Sequence, residues 1–164
     1  MADALTDLKS LIAGDLSRDD LTTQIASAVT ASIARWQSKR FWFNQIRSIT
    51  FNTVANQEFY TSADNAYIPQ LLDIDFIKAT VNGSTYEVLP KPYAELERKQ
   101  SLSTITGYPG EYAYYGQSLR LYPIPNGAYS TRISALVRLT ALASDSDSNA
   151  WTTEADARDR HHAR

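Results

Sequence analysis

Two aspartates on one predicted strand come closest to a catalytic arrangement in this sequence. Asp73 and Asp75 lie two residues apart in an alternating segment, so both carboxylates are expected on one face, about 7 Å apart. Glycoside hydrolysis uses two carboxyl groups separated by roughly 5 to 9 Å. No other acidic residue is tied to this pair by spacing, so a solvated strand face opposite Ile74 and Phe76 is favoured over a cell-wall hydrolase. We therefore predict no catalytic residues.

Other catalytic and metal-binding residue types are scarce. The chain has no cysteine, which excludes thiol nucleophiles, disulfides and thiolate zinc sites, and its histidines are confined to the C-terminal end. A metal site there would combine Glu154, Asp156, Asp159, His161 and His162. Residues so close to a chain end are usually frayed. The sequence predicts no metal, no cofactor and no enzymatic activity.

Aromatic and basic residues alternate after the first third of the chain. Phe41, Trp42 and Phe43 stand between Lys39, Arg40 and Arg47. Such a segment can bind single-stranded nucleic acid by stacking and charge. It can also be a subunit contact, because Trp and Arg are common interface anchors, or it can plug the junction between a helix and a sheet. The junction is favoured, with the contact second.

Tyrosine is enriched between residues 108 and 122. Tyr112 and Tyr114 are expected on one strand face, with Tyr115 on the other. A sugar-binding platform is conceivable, but packing across paired strands is the commoner role and a protein interface comes second. The residues selected as interface candidates are Trp36, Trp42, Phe43, Tyr112, Tyr114, Tyr115 and Trp151.

The composition is that of a globular protein with no bulk affinity for nucleic acid. Hydrophobic residues make up 43% of the 164 residues, and 16 basic residues face 18 acidic ones, which gives a net charge of −2. No apolar run approaches the roughly 18 residues of a membrane span. The first residues include Asp3 and Asp7, so no signal peptide is predicted.

The first third has the periodicity of two helices. Apolar residues from Leu5 to Ile12 share one helical face, and Gly14 is expected to end that helix. Ser17 resembles the cap of a second helix, because acidic residues follow in its first turn. Apolar residues then recur at spacings of three and four from Leu21 to Trp36, which predicts an amphipathic helix of about five turns.

The middle of the chain has the alternation of strands. We expect six or seven antiparallel strands, with a type I′ hairpin at Asn82-Gly83 and an inserted helix at 92–100. A Ser/Asp linker follows, and Thr152 is expected to cap a short last helix. The predicted regions are 1–44, helical; 45–142, antiparallel β; and 143–164, linker and C-terminal helix or tail. The fold class is α+β: N-terminal amphipathic helices, a β-sandwich or barrel-like region, and a short C-terminal helix.

One segment carries a more specific pattern. Residues 107–125 read GYPGEYAYYGQSLRLYPIP, with the spacing G-x-P-x-x-Y-A, then G, then L-x-L-x-P-x-P. This resembles the head-to-tail adaptor (connector) proteins of tailed bacteriophages. The flanks agree: amphipathic helices come first, Val88-Leu89-Pro90 leads into a short helix, and Asn149-Ala150-Trp151 enters a terminal helix. The resemblance covers roughly residues 5 to 157.

The resemblance implies a structural virion protein at the head–tail interface, assembled in the host cytoplasm. Its relatives form homo-oligomeric rings, usually of twelve copies, beneath the portal protein. They contact a tail nozzle, hub or other tail protein, and DNA passes through their channel without sequence-specific binding. The alternative is a β-sandwich binding module of a phage tail component, directed to carbohydrate or protein. An amphipathic helix pair ahead of the strands favours the adaptor.

Overall fold

The computed structural model describes residues 4–153, which fall into two compact units. Among these residues, one unit combines 4–43 with 138–153, and the other contains 44–137. Within the described residues there are four α-helices and a curled seven-stranded sheet, which confirms the predicted α+β class. Each unit has its own buried apolar cluster.

The helical unit contains α1 (Leu5–Leu16) and α2 (Thr22–Trp36), whose facing side chains bury Leu5, Ile25 and Val29. Two predictions at this end were wrong. Helix α1 continues through Gly14, and Ser17 is the C-cap of α1 instead of the start of α2. Ser17 adopts a left-handed conformation with φ of 51°, and its N–H donates to the carbonyl of Gly14 at 3.0 Å. A residue that closes one helix in this way does not have the extended backbone of an N-cap.

Residues 143–149, predicted as a linker, form a hydrogen-bonded turn in the same unit. Asp147 accepts from the N–H groups of Ala143 and Ser144 and from the Ser144 hydroxyl, and the Ser144 hydrogen bonds hold the pKa of this carboxyl below its ordinary value. The backbone carbonyls of Asp145 and Asp147 accept from the first amides of α1 at 3.0 and 2.9 Å. The turn therefore supplies the partners that the unpaired N–H groups of a helix start require.

Helix α4 (Ala150–Thr153) is capped by Asn149, so the prediction of Thr152 as cap was wrong. The Asn149 side chain accepts from the N–H of Trp151 at 2.8 Å, and the Thr152 hydroxyl accepts from the N–H of Asn149 at 3.1 Å. This reciprocal pair is a capping box with Thr in the position usually taken by Glu. It explains why the polar side chain of Thr152 is fully buried.

The second unit is built on one sheet with the strand order β1-β9-β3-β4-β6-β7-β2. Its core consists of the side chains that alternate inward along these strands, centred on Ile49, Ile77, Val88, Leu121 and Ile133. A 3₁₀ helix at Ile68–Gln70 precedes β3. The strands are β1 (Gln45–Asn52), β2 (Phe59–Tyr60), β3 (Leu71–Val81), β4 (Ser84–Pro90), β5 (Thr106–Gly107), β6 (Glu111–Tyr115), β7 (Ser118–Tyr122), β8 (Ile124–Pro125) and β9 (Ser130–Val137).

The expectation of a wholly antiparallel region was wrong in two places. Strands β4 and β6 pair in parallel, and so do β5 and β8, which form a separate two-stranded sheet. Helix α3 (Tyr93–Leu102) lies between β4 and β6 in the chain. Parallel neighbours need a long crossover, usually a helix. The helix predicted at 92–100 therefore makes the parallel pairing possible.

The hairpin between β3 and β4 provides a test of backbone strain. Asn82 and Gly83 have φ of 49° and 79°, as predicted for a type I′ turn. A Cβ added at Gly83 meets nothing within 4 Å, so the only obstacle to a side chain there is the left-handed backbone.

We expect Gly83→Val to lower the free energy of unfolding by about 1 to 3 kcal/mol in urea titrations. Gly110→Val is the control, since its Cβ is equally unobstructed and its φ is ordinary; equal losses in both variants would contradict the explanation.

Candidate interaction surfaces

Three aromatic rings of the helical unit form a cluster, defined here as Phe41, Phe43 and Trp151. The two phenylalanine rings stack in parallel with centroids 5.2 Å apart, and Trp151 meets both edge-on at 5.2 and 5.0 Å. Such geometries contribute stability beyond the buried area. The indole N–H of Trp151 is buried and has no hydrogen-bond partner within residues 4–153. Of the predicted interface residues, Phe43 and Trp151 thus come together within one unit.

Two tryptophans of the same unit are exposed. Trp42 packs edge-on against Phe43 at 5.8 Å but leaves 72% of its surface accessible. Trp36, at the end of α2, is 47% exposed, with the Arg35 guanidinium 5.8 Å from its ring. Large exposed aromatic side chains are uncommon on surfaces without partners and are typical anchors of protein contacts.

An apolar groove runs along α1 and α2. It has a volume of about 400 Å³ and is lined mainly by apolar side chains of the two helices together with Trp151. Ile25 and Val29 are buried beneath it, while Leu16 at its rim is 54% exposed. Two helices alone cannot cover each other's apolar stripes completely. The sequence predicted the stripe of α2, from Leu21 to Ile33, but not that part of it would line an open groove.

The tyrosine segment is divided between core and surface. Tyr112 is buried in the sheet, and this burial raises the pKa of its hydroxyl. Tyr114 packs against the same core and donates a hydrogen bond to the carbonyl of Ile68 at 2.9 Å. Tyr115 is 68% exposed, and its ring lies against that of Tyr93 of α3 in a tilted arrangement, with centroids 5.1 Å apart. The expected alternation holds, and it leaves Tyr115 as the accessible member of the three.

The candidate carboxylate pair lies on an irregular part of β3. Asp73 and Asp75 are both exposed, and Asp75 accepts a hydrogen bond from the Ser134 hydroxyl at 3.2 Å. The pairing of β3 with β9 shifts between Leu71 and Asp73 and again between Ile74 and Phe76. The second shift interrupts alternation, so the Phe76 ring lies beside Lys78 and Arg132 and not on the Ile74 side. The prediction that Ile74 and Phe76 share a face was therefore wrong.

No cluster of three or more His, Cys, Asp or Glu side chains suited to a metal ion occurs within residues 4–153. The C-terminal set of Glu154, Asp156, Asp159, His161 and His162 lies outside the described residues. The basic residues flanking the aromatic segment are exposed at Lys39, Arg40 and Arg47.

A buried arginine, which sequence reasoning missed, organises one edge of the sheet unit. The Arg120 side chain is only 4% exposed, and its guanidinium lies 2.6 Å from Glu58 and 2.6 Å from Glu97 of α3. Two aromatic rings, Phe59 and Tyr93, flank it at 5.3 and 5.2 Å. Burial opposes the charged form of Arg120, but the hydrogen bonds to both glutamates outweigh it and raise its pKa. The sequence feature that could have indicated this buried charge is an arginine between two leucines on a strand, Leu119-Arg120-Leu121.

Helix α3 has a second ionic attachment to the sheet. Lys99 donates to both carboxylate oxygens of Glu111 on β6, at 2.9 and 2.7 Å, and also lies 3.2 Å from Glu95 within the helix. The Glu111 hydrogen bonds outweigh burial and raise the pKa of Lys99. Arg120 and Lys99 thus hold the crossover helix against β7 and β6.

The importance of Arg120 can be measured by removing its charge. We expect Arg120→Met to lower the free energy of unfolding by about 2 to 4 kcal/mol, chiefly because the mostly buried carboxylate of Glu58 loses its partner. Chemical denaturation of the purified chain measures this. The control is Arg18→Met, which breaks the exposed pair with Asp20 and should change stability little. Equal, small effects in both variants would show that the Arg120 pairs are not important for folding.

The comparisons with known proteins agree with the resemblance seen in the sequence. The family model described as SU10 adaptor protein matches residues 3–164. The comparison with curated proteins finds no match. In the part of the chain described by the structure, no helix is long and apolar enough to cross a membrane. Because the family model spans nearly the whole sequence, the chain belongs to the SU10 adaptor proteins, a family of phage head-to-tail adaptors.

Proposed function

We propose that this protein assembles into a ring between the portal and the tail and continues the DNA channel. The observation that carries the proposal is the family match over residues 3–164, which makes the chain a bacteriophage adaptor. Such a protein acts by surface complementarity instead of chemistry. Repeated heterologous contacts between identical subunits close into a ring when the rotation between neighbours divides a full turn. The copy number that we propose is twelve.

The helical unit is the part of the chain best suited to these contacts. It combines an apolar groove with two exposed tryptophans, Trp36 and Trp42. Both features bury more apolar surface if another protein covers them, and burial is the main favourable term in association. We assign subunit and portal contacts to this unit, with Trp151 at the groove as a further contributor. Tyr115 on the sheet unit is the proposed contact for a nozzle, hub or other tail protein.

The alternative, a sugar-binding module, has less support. A carbohydrate platform needs several aromatic faces open to solvent, whereas Tyr112 lies in the core and Tyr114 is held by its hydrogen bond to Ile68.

For the channel, a net charge of −2 suits DNA that passes without sequence-specific binding. We expect the lumen of the assembled ring to lack a dense lining of Lys and Arg.

Electron microscopy of the protein mixed with portal rings tests the assembly. We expect wild-type chain to add a ring of density beneath the portal, with twelve copies in class averages. The double variant Trp36→Ser, Trp42→Ser should stay folded with little change in melting temperature, because neither side chain is buried, but should lose the added ring.

The matched control for that experiment is Leu102→Ser, which removes another exposed apolar side chain, 81% accessible, from the sheet unit. It should leave the ring intact. Loss of the ring in Leu102→Ser but not in the double variant would place the contact on the sheet unit and refute the assignment. Failure of wild-type chain to bind any portal would refute the adaptor ring itself.

We also propose that the protein is not an enzyme, since both members of its candidate carboxylate pair are exposed to solvent on an irregular part of β3. Purified protein incubated with peptidoglycan should release no soluble sugar or peptide above a buffer blank. Release that disappears in Asp73→Asn but persists in Asp15→Asn, a substitution of an exposed aspartate on α1, would overturn this.

A further inference from the structure

A polar pocket of about 330 Å³ lies on the outer face of the sheet, which is the face opposite the core. Two cationic and four hydroxyl side chains line it: Thr50, Lys78, Thr80, Thr85, Ser130 and Arg132. The strand register brings them together. Lys78 is directly opposite Arg132, Thr80 is opposite both Ser130 and Thr85, and Thr50 is opposite Arg132. The pocket is therefore a product of four neighbouring strands and does not depend on a loop.

Placing the two cations close together destabilises the fold. Like charges directly opposite each other on neighbouring strands are destabilising. Both nevertheless lie over one aromatic ring, with the Lys78 ammonium 5.0 Å and the Arg132 guanidinium 5.8 Å from the centre of Phe76. The second irregularity of β3 lies between Ile74 and Phe76, and beyond it the strand is regular, so Phe76 and Lys78, two residues apart, share the outer face. An arrangement that gathers positive charge in a hydroxyl-lined pocket has the properties of an anion site.

No carboxylate neutralises this pair within residues 4–153. Within these residues the ammonium of Lys78 and the guanidinium of Arg132 both interact with the Phe76 ring. Glu87 stands opposite Lys78 on β4, but the two make no ion pair and Glu87 does not line the pocket. By contrast, Lys91, Lys99 and Arg120 of the same unit are all paired with glutamates. The positive charge at the pocket is thus available to a ligand.

We propose that this pocket binds a phosphate group. Guanidinium and ammonium groups form short charge-assisted hydrogen bonds to phosphate oxygens, and hydroxyls add further donors. Four hydroxyls and two cations offer more donors than the two oxygens of a carboxylate can accept, whereas a tetrahedral phosphate presents oxygens in several directions. The Thr80 and Thr85 hydroxyls, 2.9 Å apart, already share a hydrogen bond and can turn toward a ligand. The phosphate group can come from free inorganic phosphate or from a DNA backbone.

Nuclear magnetic resonance titrations of the full chain separate these sources. Inorganic phosphate is added at constant ionic strength against a chloride reference, and a short DNA duplex is added in a parallel series. We expect saturable shifts at the amides of Thr50, Thr80, Thr85 and Ser130 with phosphate and none with chloride. If the duplex moves the same amides at a lower concentration of phosphate groups, the ligand is the DNA backbone; otherwise it is free phosphate.

Charge-neutralising variants provide the decisive control. Lys78→Gln and Arg132→Gln should each weaken binding about tenfold, as expected for loss of one charge-assisted hydrogen bond. Arg98→Gln removes an equal charge from an exposed position on α3, outside the pocket, and should bind like wild type. Melting temperatures establish that each variant is folded. Unchanged affinity in both pocket variants, or equal shifts with chloride, would overturn the proposal.

Discussion

The charge of Arg120 is the constraint on which the sheet unit depends. A guanidinium removed from water is costly unless its donors are satisfied, and here Glu58 and Glu97 satisfy them from two different elements. Because Glu97 belongs to α3, the ion pairs place the crossover helix, and because α3 connects β4 to β6, they support the parallel pairing in the middle of the sheet. The rings of Phe59 and Tyr93, 5.3 and 5.2 Å from the guanidinium carbon, also contact the charge. One arginine thus determines where three segments meet.

The parts of this fold that follow from local rules were predictable, and those that follow from long-range pairing were not. Positive φ at Asn82 and Gly83 follows from the residues themselves. The parallel pairing of β4 with β6 depends on where α3 docks, which no local window contains. The ends of the first two helices were mispredicted at Ser17, because serine is suited to either end of a helix. Its left-handed backbone makes it the C-cap of α1.

The interaction residues divide in the same way. Alternation along β6 correctly separated Tyr115 from Tyr112 and Tyr114, since side chains on a strand have a period of two. The pairing of Phe41 and Phe43 with Trp151 joins residues more than a hundred positions apart, so composition identified them only as candidates. Arg120 was overlooked because a charged residue between leucines usually indicates an exposed strand face. Here the register with β2 and the docking of α3 cover that face.

The two units differ in how completely they bury their apolar side chains and pair their charges. This difference bears on the proposed role. In the sheet unit a large buried apolar cluster forms the core and the cation of Arg120 is paired with two glutamates, although single side chains such as Leu102 and Tyr115 are exposed. Among the described residues of the helical unit only three apolar side chains are buried, while a groove and two tryptophans are open to solvent. A chain that leaves apolar surface exposed in this way gains stability when another protein covers that surface, because the burial is then completed across the contact. The helical unit therefore gains most from contacts with another protein, which is why the proposed ring contacts are assigned to it.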